Sequence, residues 1–350
     1  MKKISRFKNI TATKLIFDQN SEKKIVEPAT TADFSVHHKV ENLKVLIEKA
    51  NSSAKELNTE IDTIATEVAS RWETMDPHLK LKYIAGLSRG KVEYKEVPVN
   101  YQDSVIVTRK KAPKKESDRQ KYEYQFLPLE TILSKKEVTP AQYEDGHFYG
   151  NSAVIKHEEN LTYLTVSHVA RHHASEEIKT PSFRYDMAFM PVPEKQKETA
   201  KKFSHPITQL TDAQLNGKIV TISGLDHSYK KDNTYENGKV TGRAFYINED
   251  YGFGGALETT EVLQNPENFI TWGKTTKKGC FIILINPENT DQHKKLPGIS
   301  GSPVFYDNPN TTKKEIVGSF TALPPIKIEG KEYLGVLFNG PSIIKKAIED

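Results

Sequence analysis

Three side chains carry the chemistry this sequence is equipped to do. Ser300 stands between glycines in LPGISGSPVF, Leu296–Phe305, just before an apolar run. A nucleophilic serine needs its hydroxyl on a tight turn, with backbone N–H groups aimed at the oxyanion that forms. Small flanking residues let that backbone crowd a carbonyl. His168 follows the apolar stretch of LTYLTVSHVA, Leu161–Ala170. An imidazole is the usual base because it titrates near working pH. Asp186 comes eighteen residues later and directly precedes the apolar run Met187–Met190. A carboxylate partly buried there can orient an imidazole and stabilise its charged form. The serine turn alone does not separate a nucleophile from an ordinary turn. The three residues together describe acyl transfer.

Other candidates weigh less. His172 and His173 compete with His168 for the role of base. His168 is preferred because it ends a strand-like stretch. HVARH, His168–His172, has the i, i+4 spacing of a metal pair, but it lacks the HExxH glutamate and a clear third ligand. Cys280 is the single cysteine, which excludes an internal disulfide framework and a four-cysteine zinc site. No metal and no cofactor is expected. Gly252–Gly255 lacks the strand and helix of a phosphate-binding loop and reads as a turn. Trp272 reads as core or cleft wall, and Cys280, at the head of an apolar strand, as buried and inert.

The elements that must position these residues fall into two unlike parts. From Val36 to Met75 apolar residues recur at Val36, Val40, Leu43, Ile47, Ala50, Ala54, Leu57, Ile61 and Ile64, then Val68, Trp72 and Met75. This is a heptad stripe. It predicts one long helix or a hairpin bent near Asn51–Ser53, with Pro77 as its stop. The stripe has two readings: assembly with a second copy or a partner protein through residues 36–75, or packing against the rest of this chain. On either reading the helix is expected to be dispensable for the chemistry.

Beyond about residue 90 the period becomes two. VEYKEVPVNY, SVIVTRK, HFYGNSAVIK, LTYLTVSH, DMAFMPV, GKIVTISG, CFIILI, EIVGSF and EYLGVLFNG read as short strands between turn residues. Many short strands at close spacing predict a mainly β sandwich or barrel. PSIIKKAIED reads as a terminal helix with Pro341 in its first turn. The basic run Arg109–Lys121 reads as a solvated loop.

Composition limits the partners. Lys and Arg number 50 against 46 Asp and Glu, a net charge of +4. A charge so near balance over 350 residues argues against a whole-chain nucleic-acid binder. The opening MKKISRFKNITATKLIFDQN lacks the apolar core of a signal peptide. The apolar run Cys280–Ile285 is far short of the roughly 18–20 residues a spanning helix needs. These features predict a soluble cytoplasmic protein with no membrane partner.

The order His168, Asp186, Ser300 is the chymotrypsin order, not that of the subtilisins or the α/β-hydrolases. The chain resembles the trypsin-like serine peptidases, in style the Deg-type (high-temperature-requirement) enzymes and the viral chymotrypsin-fold proteases. YGNSAVIKHEENLTYLTVSHVA resembles the hairpin leading to the catalytic histidine, and RYDMAFMPV the aspartate strand. NGKIVTISGL with ENGKVTGRAF resembles the opening of the second barrel. LPGISGSPVF, EIVGSFTAL and EYLGVLFNGPSIIKKAI resemble the serine turn, the substrate-pairing strand and the terminal helix. The likeness covers roughly residues 95–350.

The resemblance implies a chymotrypsin-like double β-barrel over residues 91–350, preceded by an α-helical extension over residues 1–90. It implies a site in the cleft, with His168 and Asp186 from the first barrel and Ser300 from the second. Gly298 and Ser300 would offer the oxyanion-hole N–H groups. Ile299 stands where digestive relatives carry the aspartate that pairs with a freed N-terminus. No Ile-Val-Gly-Gly start precedes the first barrel, so activation by that ion pair is not expected. Ser302 stands where many relatives have glycine.

The pocket for the residue on the acyl side of the cut would be walled by Lys294 and Lys295, by Ser319, Phe320 and Thr321, and by the strand around Phe338. No Asp or Glu stands at these positions, so a basic substrate side chain would lack its countercharge. Either the lysines favour an acidic side chain, or they reach water and leave an apolar pocket shaped by Phe320 and Phe338; the second is preferred. The expected activity is that of a serine endopeptidase acting on protein or peptide substrates through an acyl-enzyme. The rival is a non-catalytic protease-fold scaffold or binding protein assembled through the N-terminal helix.

Overall fold

In the computed structural model the heptad-spaced residues from Ile61 to Met75 fold back on their own chain. The structure describes residues 54–98, 100–111, 122–129, 147–157, 160–170, 186–225, 236–247, 280–285, 296, 299–309, 313–328 and 331–349. Helix α1 (Ala54–Ser70) buries Ile61, Ile64, Ala65 and Val68 along one face. Their 3–1–3 spacing is that of an amphipathic helix lying on a surface. A 3-10 turn at Trp72–Thr74 follows. Pro77 does not stop the helical region. It opens α2 (Pro77–Leu87), where a first-turn proline forfeits no intrahelical hydrogen bond.

Both helices pack on a β-sheet of the same molecule. Ile61, Ile64, Val68, Trp72, Leu81, Tyr83, Ile84 and Leu87 share one apolar cluster with Phe245, Ile282, Leu284, Ile326 and Leu337. The Trp72 ring stacks on Phe245 at 5.3 Å, and its indole N–H donates to the Tyr246 carbonyl at 2.6 Å. Arg243 ties α1 to the sheet by pairing with Asp62 while donating to the Gly217 carbonyl at 2.6 Å. From Ile61 to Met75 the stripe is therefore covered by the chain itself. Residues 36–53 lie outside the described residues.

The fold is mainly β. One six-stranded sheet has the order β3 (Tyr122–Leu127), β2 (Val105–Lys111), β4 (His147–His157), β5 (Asn160–Thr165), β6 (Ala188–Pro191). These pair antiparallel, and β7 (Ser204–Pro206) adds to β4 in parallel.

The nine-stranded second sheet has the order β1 (Lys91–Glu96), β9 (Glu236–Arg243), β8 (Ile219–Leu225), β12 (Pro303–Asp307), β13 (Lys314–Ala322), β15 (Lys331–Asn339), β11 (Cys280–Ile285), β10 (Phe245–Ile247). Strand β14 (Pro325–Ile328) pairs with β15. Strand β1 precedes every strand of the first sheet in sequence, yet it pairs with β9 in the second. A bridge between Gly90 and Ile285 brings that edge back toward β11, so the sheet curls on itself.

Four short α-helices, α3 (Ser167–Ala170), α4 (Lys197–Lys201), α5 (Asp212–Leu215) and α6 (Pro341–Glu349), and a 3-10 turn at Glu194–Gln196 complete the described chain. Helix α6 buries Ile343, Ile344 and Ala347 in a cluster that joins the two sheets. Ala153, Ile155, Leu164, Met187 and Phe189 come from the first sheet's side, and Cys280, Phe305 and Ile316 from the second. Among the described residues no helix is long and apolar enough to cross a membrane.

Candidate active site

The site forms where the end of β5 meets the turn that leads into β12. Strand β5 stops at Thr165, and two residues later α3 begins with Ser167 and His168. His168 Nδ1 lies 2.8 Å from Asp186 Oδ2. An ionised carboxylate only accepts hydrogen bonds. The proton of the neutral ring therefore sits on Nδ1, and Nε2 is left as the basic nitrogen.

Asp186 is 1% exposed. Its other oxygen accepts the Ser167 hydroxyl at 2.6 Å and the His168 backbone N–H at 3.0 Å. Three donors thus offset the cost of burying the carboxylate. Asp186 has φ +48, a left-handed backbone that aspartate tolerates better than most residues. This turn sets the carboxylate under α3 while Ala188 begins β6. The predicted strand DMAFMPV thus starts two residues after the aspartate.

Ser300 belongs to a tight turn closed by the Ser302 N–H donating to the Ile299 carbonyl at 3.0 Å. Ile299 is fully buried and anchors the turn. Gly301 has φ +82, and a Cβ there would lie 2.2 Å from the Asn151 carbonyl oxygen and 2.4 Å from Thr165 Oγ1. Both conformation and space require glycine at that position. The Asn151 N–H donates to the Ser300 carbonyl at 2.7 Å. A Cβ on Gly150 would lie 2.8 Å from that same oxygen and 2.8 Å from a Val169 methyl. The serine turn and the residue after His168 therefore meet at one point of β4, although 131 positions separate Val169 from Ser300.

The sequence reading did not single out Ser167 or Asn151. Ser167 adjoins His168 in VSHV, which was the available signal. Asn151 carried none, because its importance lies in long-range pairing. Its side chain is fully buried, donates to the Leu225 carbonyl at 3.0 Å and accepts the Leu225 N–H at 2.9 Å. Gly298, Lys294, Lys295, His172, His173, Trp272 and Gly252–Gly255 lie outside the described residues. So do residues 112–121 of the basic run. Arg109–Lys111 belong to β2.

The four remaining pocket residues are buried. Phe320 and Phe338 face each other across β13 and β15 and share one side of the sheet. That side is the core: they are 1% and 0% exposed, and Phe338 stacks on Phe281 at 5.3 Å. Both rings belong to one buried apolar cluster with Phe281 and Ile283, and their facing register puts them on the same side of the sheet. The Thr321 hydroxyl donates to the Leu337 carbonyl at 3.2 Å. The Ser319 hydroxyl is buried without a hydrogen-bond partner among the described residues. Cys280 is buried against Asn339. Burial, with the charges of Asp212 and Asp186, pushes its thiol up to about 12, so it is a poor nucleophile at neutral pH.

No protein-family model matches this chain, and no curated protein is found as a relative.

Proposed function

We propose that this chain is a serine endopeptidase of chymotrypsin-like type, with its two sheets as the two barrels of that fold. One observation carries the reading. The buried Asp186 carboxylate holds both the ring and the peptide N–H of His168, beside the strand point on which the Ser300 turn is docked. A structural histidine needs no carboxylate that fixes its tautomer so that the second ring nitrogen stays basic.

In this reaction the Ser300 hydroxyl oxygen attacks the scissile carbonyl carbon, and His168 Nε2 takes its proton. Backbone N–H groups at Gly298 and Ser300 stabilise the resulting oxyanion. The tetrahedral adduct collapses as imidazolium gives its proton to the leaving amine, which breaks the C–N bond. Water then attacks the acyl-enzyme with His168 again as base, releasing the acid and regenerating the serine. Asp186 stays ionised throughout and stabilises the imidazolium.

A fluorophosphonate probe, which phosphonylates an activated serine, tests the reading directly. Labelling at Ser300 in the wild type, lost in Ser300→Ala, is expected together with cleavage of a peptide library by the wild type alone. A folded wild type that neither labels nor cleaves any library member overturns the proposal.

A further inference from the structure

We propose that Asn151 is a positioning residue that fixes the distance between the nucleophile and its base. The inference rests on the peptidase reading of Ser300 and His168. The two groups come from different sheets. His168 follows β5 of the first sheet, whereas Ser300 leads into β12 of the second. Two packed sheets can slide by fractions of an ångström at little cost, and an acyl transfer that needs near-attack geometry does not tolerate that.

Asn151 sits on β4 of the first sheet and grips the second sheet at two places. Its side-chain amide pairs with both backbone groups of Leu225, the last residue of β8, as a neighbouring strand would. The Ser104 hydroxyl donates to the same side-chain oxygen at 3.1 Å and fixes its orientation. The Asn151 backbone N–H holds the Ser300 carbonyl at 2.7 Å. Its backbone carbonyl accepts the Thr165 hydroxyl at 2.7 Å, at the end of the strand that carries His168. Strand β8 itself pairs with β12 through Ile222 and Val304. One buried residue thus ties together the end of β8, the serine turn and the end of β5. The amide is the only common side chain that offers a donor and an acceptor in the geometry of a peptide group, which Leu225 requires. Asn151 acts through Ser300, whose carbonyl its N–H holds, and not on the reacting atoms themselves.

The test compares full-length wild type, Asn151→Ala and Asn151→Asp for peptide hydrolysis, fluorophosphonate labelling rate and thermal unfolding. Asn151→Ala is expected to lower kcat and the labelling rate by about tenfold or more, with KM within about twofold, because the serine is misplaced while substrate contacts persist. Asn151→Asp keeps the size and the acceptor for the Leu225 N–H but loses the paired donor, and is expected to fall between the two. It decides the matter if the alanine variant does not fold. Wild-type kcat and labelling rate in either folded variant overturn the inference and leave the peptidase reading standing. A raised KM with unchanged kcat also overturns it, because that pattern belongs to substrate binding. An inert, unlabelled wild type overturns the peptidase reading instead.

Discussion

The Asp186 carboxylate holds His168 twice, at the ring nitrogen Nδ1 over 2.8 Å and at the backbone N–H over 3.0 Å. One carboxylate therefore fixes both the ring and the start of α3. This double grip separates two substitutions at the same position. Asp186→Asn keeps the size and one acceptor for the backbone. Its amide N–H₂, if turned to the ring, favours the tautomer with the proton on Nε2, which cannot accept the serine proton. Peptide hydrolysis should fall by about 10⁴-fold with little change in the circular dichroism spectrum. Asp186→Ala removes both bonds and should lower the melting temperature as well.

Ser300→Ala, His168→Ala and Asp186→Asn should each cost several orders of magnitude in kcat/KM, and the double variants should cost little more than the worst single one. On the proposed reading the three act as a unit, so their losses do not add. Single-turnover kinetics on the three single and three double variants checks this. A His168→Ala variant with full activity, beside an inactive His172→Ala or His173→Ala, would reassign the base.

Ser167→Ala should separate support of the carboxylate from the chemistry. It removes the 2.6 Å bond to Asp186 Oδ1 but leaves the Nδ1–Oδ2 contact. A hydrogen bond to a charged group contributes about 1.5–3 kcal/mol. Urea unfolding should show a loss of that order, while kcat falls no more than about tenfold, since the tautomer is still fixed.

The helical segment should be required for a stable fold, although the sequence predicts it to be dispensable for the chemistry. Trp72 fills the cluster between α1, α2 and the second sheet and is 2% exposed. Trp72→Ala should cost about 3–5 kcal/mol. A chain beginning at residue 90 would expose Phe245, Ile282 and Leu284 to water and should aggregate. A soluble truncated chain with wild-type melting temperature would contradict this. Light scattering on the full chain tests residues 36–53, the part of the stripe outside the described residues, for self-association.

Acid should destabilise the protein partly through His205. Burial is the first cause that lowers its pKa, and Lys314 adds to it, against Asp103 and a bond to the Gln102 backbone. The ring packs edge-on to Phe305 at 4.8 Å. In the unfolded chain this histidine binds its proton at about pH 6.5, and in the fold only at lower pH. Between those values the unfolded state holds more protons, so stability rises with pH. The contribution is intact above about pH 6.5 and is lost as pH falls below it. His205→Gln should flatten the fall of urea-unfolding stability as pH drops below about 6.5; an unchanged slope would discard the assignment.

What the sequence determined by itself was local. Period two marked β1, β2, β4, β5, β6, β8, β11, β13 and β15, and the 3–4 stripe marked α1, because alternation and helical spacing follow directly from backbone geometry. It also identified His168 and Asp186, since a histidine at a strand end and an aspartate before an apolar run are neighbours eighteen residues apart. Tertiary structure decided the long-range pairings. The heptad stripe did not name its partner, because a/d spacing fits any apolar surface, and from Ile61 to Met75 the surface proved to be the chain's own sheet. Phe320 and Phe338 went to the core because the register of β13 against β15 fixed which face they share, and no residue type encodes that register. The Asn151 clamp was invisible for the same reason. Its meaning lies in Leu225 and Ser300, 74 and 149 positions away, which meet it only when the two sheets close on each other.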